Sequence, residues 1–156
     1  MTKILFLDYD GVLHPFNETG ESLQLQREEP VALFSFAPTL EALLDDVDPA
    51  GQIAIVLSTT WAQRTHWTSA RNYLPESLKN RVTGGTHPAP VARGIQIELH
   101  AIDYGIPDTD WIAIDDDDYG FPTQHVGRLV KCNPHIGISC PKTQQELREK
   151  LERLLK

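Results

Sequence analysis

Short apolar runs recur along the chain, and each gives way at once to polar residues. Ile4-Leu5-Phe6-Leu7 is followed by Asp8-Tyr9-Asp10-Gly11, and Ile53-Ala54-Ile55-Val56-Leu57 by Ser58-Thr59-Thr60. Trp111-Ile112-Ala113-Ile114 runs into four aspartates, Asp115 to Asp118. Runs of this length predict strands buried on both faces. Arg81-Val82-Thr83 and Arg128-Leu129-Val130 predict two shorter strands. Between them, apolar positions recur at helical spacing. Leu40, Leu43, Leu44 and Val47 share one face after Pro38-Thr39, and Ala62, His66 and Ala70 mark a helix from Trp61 to about Tyr73. Ile95, Leu99 and Ile102 mark another from Arg93 to about Tyr104. Leu147, Leu151 and Leu154 mark the last, opened by a Thr143/Glu146 capping box. Residues 14–37 have no period and predict a flap or loop insertion, with a hairpin on Leu23-Gln24-Leu25; Thr86 to Val91 is a second loop.

Strands alternating with helices imply an α/β fold: a Rossmann-like parallel sheet with helices on both faces. Ligands in such folds sit beyond the carboxyl ends of the strands. That rule gathers Asp8 and Asp10, Ser58 and Thr59, and Asp115 and Asp116 at one edge, although they are far apart in sequence. Acids at the end of a buried strand are unfavourable unless something positive lies between them. A hard divalent cation together with a phosphate group meets that need.

Composition narrows the partners. The 156 residues fit one domain, 1–156, with a sizeable core. The net charge of −8 comes from 14 basic against 22 acidic residues, and six of those acids are Asp8, Asp10 and Asp115 to Asp118. No basic block is present, which disfavours sequence-independent binding to long nucleic acid. No apolar run has the length of a membrane span. Met1-Thr2-Lys3 leads straight into the first strand without room for a signal peptide, and Cys132 and Cys140 give no disulfide framework. A cytoplasmic protein with no membrane contact and no obligate protein partner is the expectation.

Three other chemistries compete for these residues. In an EF-hand loop starting at Asp8, Gly11 falls two positions too early and no Glu closes the loop. A phosphoacceptor receiver domain carries its Asp after a middle strand, whereas here the strongest acid pair comes first. Cys132, His135, Cys140 and the upstream His125 have the residue types of a zinc site. They lack a second Cys-x-x-Cys knuckle, and Pro134 and Pro141 fit an ordinary loop.

Asp8-Tyr9-Asp10-Gly11-Val12-Leu13 resembles the first motif of the haloacid dehalogenase (HAD) superfamily, most of whose members are Mg²⁺-dependent phosphatases. The resemblance implies Asp8 as nucleophile and Asp10 as general acid/base. It makes Ile55-Val56-Leu57-Ser58-Thr59 the second motif, with the Ser58 hydroxyl and neighbouring amides, Thr59 foremost, holding phosphoryl oxygens. Arg93 takes the third motif's cationic position, with Arg64 as understudy. Trp111 to Asp116 matches the fourth motif, implying Mg²⁺ on Asp8, Asp116 and the Asp10 carbonyl, supported by Asp115 and an outer contact from Asp117 or Asp118. Gly11 and His14 border the substrate. Asp8 to Pro15, Ser58 to Trp61 and Trp111 to Asp117 are also similar to the small HAD domains of RNA-repair proteins. That likeness implies a capless phosphatase acting on a phosphorylated small molecule or a polynucleotide end. The alternative is an inactive HAD-fold binding module, whose signature would be loss of Asp8, Asp10 or the acidic fourth motif.

Overall fold

The computed structural model describes residues 2–16 and 33–156; the hairpin expected on Leu23-Gln24-Leu25 lies outside the described residues. Five parallel strands form one sheet in the order β3-β2-β1-β4-β5, with β1 Lys3–Leu7, β2 Ile53–Leu57, β3 Val82–Gly85, β4 Trp111–Asp115 and β5 Leu129–Lys131. Side chains alternate across each strand, so β1 sends Leu5 and Leu7 to one face and Ile4 and Phe6 to the other. The first face is covered by α1 (Ala37–Val47) and α6 (Pro141–Leu155) through Leu40, Leu43, Leu44, Leu147, Leu151 and Leu154. The opposite face packs against α5 (Arg93–Asp103) through Ile97 and Ala101. This is the expected Rossmann-like α/β sheet with helices on both faces, and among the described residues no cap domain stands over it. Among the described residues, no helix is long and apolar enough to cross a membrane.

Four local expectations change. The helix expected from Trp61 to Tyr73 is broken into α2 (Thr60–Arg64), α3 (Trp67–Ala70) and a 3₁₀ turn at Arg71–Tyr73, followed by α4 (Glu76–Lys79). Thr65 leaves helical geometry (φ −112°, ψ −88°), and His66, which the spacing put in register, is an exposed cap whose Nδ1 accepts from the Thr68 amide. In α5 the expected stripe faces outward: Leu99 is 44% and Ile102 67% exposed. A Cβ on Gly94 would lie 2.4 Å from the Phe121 nitrogen, so the helix sits with Gly94, Ile97 and Ala101 inward. Gln96 is buried because its amide bonds the Ala89 and Val91 carbonyls and accepts from Gln63. β3 continues through Gly84 and Gly85, where the missing side chain makes room for Trp67. Finally, α6 begins three residues early, with Cys140 rather than Thr143 at its N-cap, and makes no capping bond from a side chain; Thr143 lies buried in its first turn.

One polar knot joins the α1 C-terminus to the start of β2. The buried Asp48 carboxylate accepts from the Gln52 and Ile53 amides at 2.9 and 2.8 Å and from Arg81 Nη1 at 2.7 Å. Arg81 also donates to the Asp48 and Ile53 carbonyls. Burial disfavours the Asp48 charge, but these donors outweigh it and hold its pKa below the ordinary value. Asp48→Ala leaves two amides without their acceptor and the half-buried Arg81 with only its longer 3.5 Å pair to Asp45, so chemical denaturation should show a loss of about 3 kcal/mol. A depressed carboxylate pKa stabilises above the unfolded-state value and is lost as pH falls through the folded one. The difference between wild type and variant should therefore shrink below about pH 4.

Candidate active site

The strand register sets the site. Leu7 pairs with Leu57 on one side and Ile114 on the other, so β1, β2 and β4 end level. The Asp8 amide donates to the Ile114 carbonyl (3.2 Å), the Ser58 amide to the Leu7 carbonyl (2.8 Å), and the Cys132 amide to the Asp115 carbonyl (2.9 Å). Residues up to 107 positions apart, Asp8 and Asp115, thereby meet at one carboxyl edge. Asp8, Asp115 and Asp116 each present a carboxylate oxygen within 4.8 Å of the others. Asp8 and Asp115 are buried and Asp116 is half-buried.

Arg93, at the start of α5, enters this cluster. Its Nη1 lies 3.2 Å from Asp8 Oδ1 and 3.1 Å from Asp115 Oδ2, and it also donates to the Ser58 carbonyl. Arg64 is exposed and, among the described residues, makes no ion pair. Geometry thus puts Arg93 rather than Arg64 among the acids. Burial, then the neighbouring Asp8, pushes Asp116 up to about 7; the same causes raise Asp115 well above the carboxylate range despite Arg93. Desolvation opposes the Arg93 charge, yet Asp8 and Asp115 outweigh it and hold its pKa above the ordinary value. Three carboxylates against one guanidinium leave two formal negative charges, which one divalent cation would balance.

Gly11 is what lets Asp116 sit there. Its φ is +76°, and a Cβ at this position would lie 2.4 Å from Asp116 Oδ2. Gly11 therefore abuts an acid of the cluster.

Asp10 stands apart from the three clustered acids. Its Oδ1 accepts from His14 Nε2 at 2.7 Å and from Trp61 Nε1 at 3.1 Å. The Phe34 amide donates to His14 Nδ1 at 3.3 Å, so the proton on Nε2 is the one His14 gives to Asp10. His14 is 2% exposed; it holds a carboxylate from below instead of lying in a surface turn.

A cavity of about 530 Å³ opens over these groups, lined by Asp8, Asp10, Arg93, Asp115 and Asp116, with Asp117, Asp118, Thr60 and Lys131 on its walls. Asp117 donates its amide to Asp115 Oδ1, and Asp118 faces Lys131 Nζ at 3.4 Å. Ser58 and Thr59, expected to hold phosphoryl oxygens, are buried and do not line this cavity; their neighbour Thr60 does. Thr59 caps α2, whereas Ser58 Oγ has no hydrogen-bond partner among the described residues. Thr60 and Lys131 were not among the residues singled out from sequence, although Lys131 ends β5 and the strand-end rule that found Asp115 reaches it too. The zinc reading fails on geometry: among the described residues the one group of three convergent ligands is Asp8, Asp115 and Asp116. His125 packs edge-on against Trp111, and Cys132 is buried. A larger cavity of about 790 Å³, between α3, β3 and α5, contains none of the clustered acids.

Arg93→Met removes the cation from buried acids. Without added divalent cation, the variant should be less stable by about 3 kcal/mol. The loss should be larger at pH 8 than at pH 5, because the acids take up protons as pH falls; urea denaturation at the two pH values measures it.

No curated protein matches the chain. The family model for the HAD domain in Swiss Army Knife RNA repair proteins matches residues 4–143, from the first strand to the first turn of α6. An acid pair after β1, a hydroxyl-bearing turn after β2, one cation at the start of α5 and acids at the end of β4 all fall within that span, and the chain belongs to this family of HAD domains.

Proposed function

We propose that the chain is a Mg²⁺-dependent phosphomonoesterase working through an aspartyl-phosphate, on a nucleotide or the end of a nucleic acid. The observation that carries this reading is the convergence of Asp8, Asp115 and Asp116 on Arg93, with Asp10 tethered separately beside them. The donor set suits Mg²⁺, being hard oxygen ligands with an uncompensated charge of two. Asp8 and Asp116 would hold the ion, with Asp115 in support, and the bound ion would supply charge neutralisation for the approaching phosphoryl group. The family's place in RNA repair supports the substrate class.

The protein's own groups divide the work. Asp8 attacks phosphorus in line, forming an Asp8–phosphorus bond as the ester bond to the leaving oxygen breaks. Arg93 would orient Asp8 through their ion pair. Asp10, held through Oδ1 by His14 and Trp61, gives a proton from its other oxygen to the leaving alcohol. It then takes one from the water that releases phosphate, and such proton transfer is worth on the order of 10²–10⁴-fold. Thr60, on the cavity wall, would receive a phosphoryl oxygen.

Phosphate release from an aryl phosphate and from alkyl phosphates, with and without Mg²⁺, tests the assignment. Asp8→Asn should abolish turnover without unfolding the protein. Asp10→Asn should slow alkyl esters by about 10²–10⁴-fold, and aryl phosphate less, because its leaving group needs no proton. Equal activity of Asp8→Asn and wild type would sink the nucleophile assignment. Mg²⁺ binding should also depend on pH. Asp116, raised to about 7, must lose its proton to serve as a ligand. Affinity should therefore rise with pH through neutrality and weaken by up to about tenfold per unit below it, as read by calorimetry.

A further inference from the structure

A second cavity, of about 490 Å³, meets the acidic one at Asp10, Phe16 and Thr60. Its chemistry differs from that of its neighbour. Leu33, Trp61 and Tyr73 form apolar and aromatic walls, and Arg64 is the cation on its lining. The aromatic side chains are organised among themselves. Trp61 meets Tyr73 edge to face at 5.0 Å, and Phe34 stacks on Tyr73 at 5.4 Å and 15°. Even so, Tyr73 remains 56% and Leu33 50% exposed, an open hydrophobic surface beside a charged centre. Arg64 is exposed and has no acidic partner among the described residues. The volume lies within the range of about 300–1,000 Å³ usual for small-ligand sites.

Position gives this cavity a role, on the reading that Asp10 protonates the leaving oxygen. The leaving group must then extend from phosphorus on the Asp10 side, and the Asp10 carboxylate borders both cavities. We infer that this cavity is the leaving-group subsite and that it takes a nucleotide unit: the base against Trp61 and Tyr73, and a further phosphate on Arg64. Planar walls favour a ring that can stack. The exposed guanidinium, without an acidic partner among the described residues, favours a second anion, suited to phosphate by its planar fork. An alkyl phosphate without a ring would use neither feature.

Initial rates with adenosine 3′,5′-bisphosphate, adenosine monophosphates, glycerol phosphate, a phosphoserine peptide and an aryl phosphate test the inference. The bisphosphate should exceed the monophosphates in kcat/KM by about tenfold, and either nucleotide should exceed glycerol phosphate by about tenfold or more. Arg64→Gln should erase the first preference and Tyr73→Ala should reduce the second, both mainly through KM. A wild-type enzyme that prefers the phosphopeptide or glycerol phosphate, or preferences that survive both substitutions, would overturn the subsite. If no ester is hydrolysed, aryl phosphate included, the catalytic reading fails while the subsite is still judged by binding. Tryptophan fluorescence should then report bisphosphate binding that Arg64→Gln weakens, and absence of binding overturns the inference as well.

Discussion

Three carboxylates from distant parts of the chain crowd one sheet edge, two of them paired to a single half-buried guanidinium. The repulsion among Asp8, Asp115 and Asp116 is large because two of them have lost most of their water. Arg93 offsets part of it through ion pairs of 3.2 and 3.1 Å, and its bond to the Ser58 carbonyl ties the ends of β1, β2 and β4 to α5. The compensation is incomplete. Asp116 is still pushed up to about 7, with Asp115 raised well above the carboxylate range. A site that stays electrostatically short of positive charge is disposed to bind a cation, and more so as pH rises and the acids ionise.

The backbone makes this crowding possible. Parallel pairing forces Leu7, Leu57 and Ile114 into register, so whatever follows them is brought to the same level. Gly11 then turns with positive φ and leaves space that a methyl group would deny to Asp116. Gly137, with φ +48°, plays a related part from the far side: a Cβ there would lie 2.3 Å from the Val12 carbonyl, to which Ile138 donates its amide. The loop after β5 is thereby fastened under the turn that carries the two acids of β1.

Much of this was legible in sequence because buried parallel strands leave an unmistakable mark. Apolar runs ending in Asp8, Ser58 and Asp115 marked the sheet and its carboxyl edge, and Arg93 was picked out by the family resemblance, with Arg64 as the alternative. Where periodicity was the guide, tertiary packing could override it. Ile95, Leu99 and Ile102 have the better helical stripe, but Gly94 against the Gly120–Phe121 backbone rotates α5 the other way. Gln96 and His100 read as polar and are buried, because their partners lie on other segments. The His66 cap, which interrupts an otherwise plausible helix, depends on a local side-chain bond that competes with helix geometry. Lys131 and Thr60 went unnoticed for a different reason. Each is ordinary in its own segment and gains meaning only from what the fold puts opposite it.

The two acids of the first motif illustrate how environment separates identical side chains. Asp8 faces a permanent cation and two other carboxylates. Asp10 is tethered by neutral donors, the imidazole of His14 and the indole of Trp61, both on Oδ1. A proton arriving on its other oxygen disturbs neither bond. The Phe34 amide completes the arrangement by fixing which His14 nitrogen carries the proton. One carboxylate is thus held by an ion pair among other acids, the other by two ring N–H donors on a single oxygen. The nucleophile and acid/base roles proposed above draw on that difference.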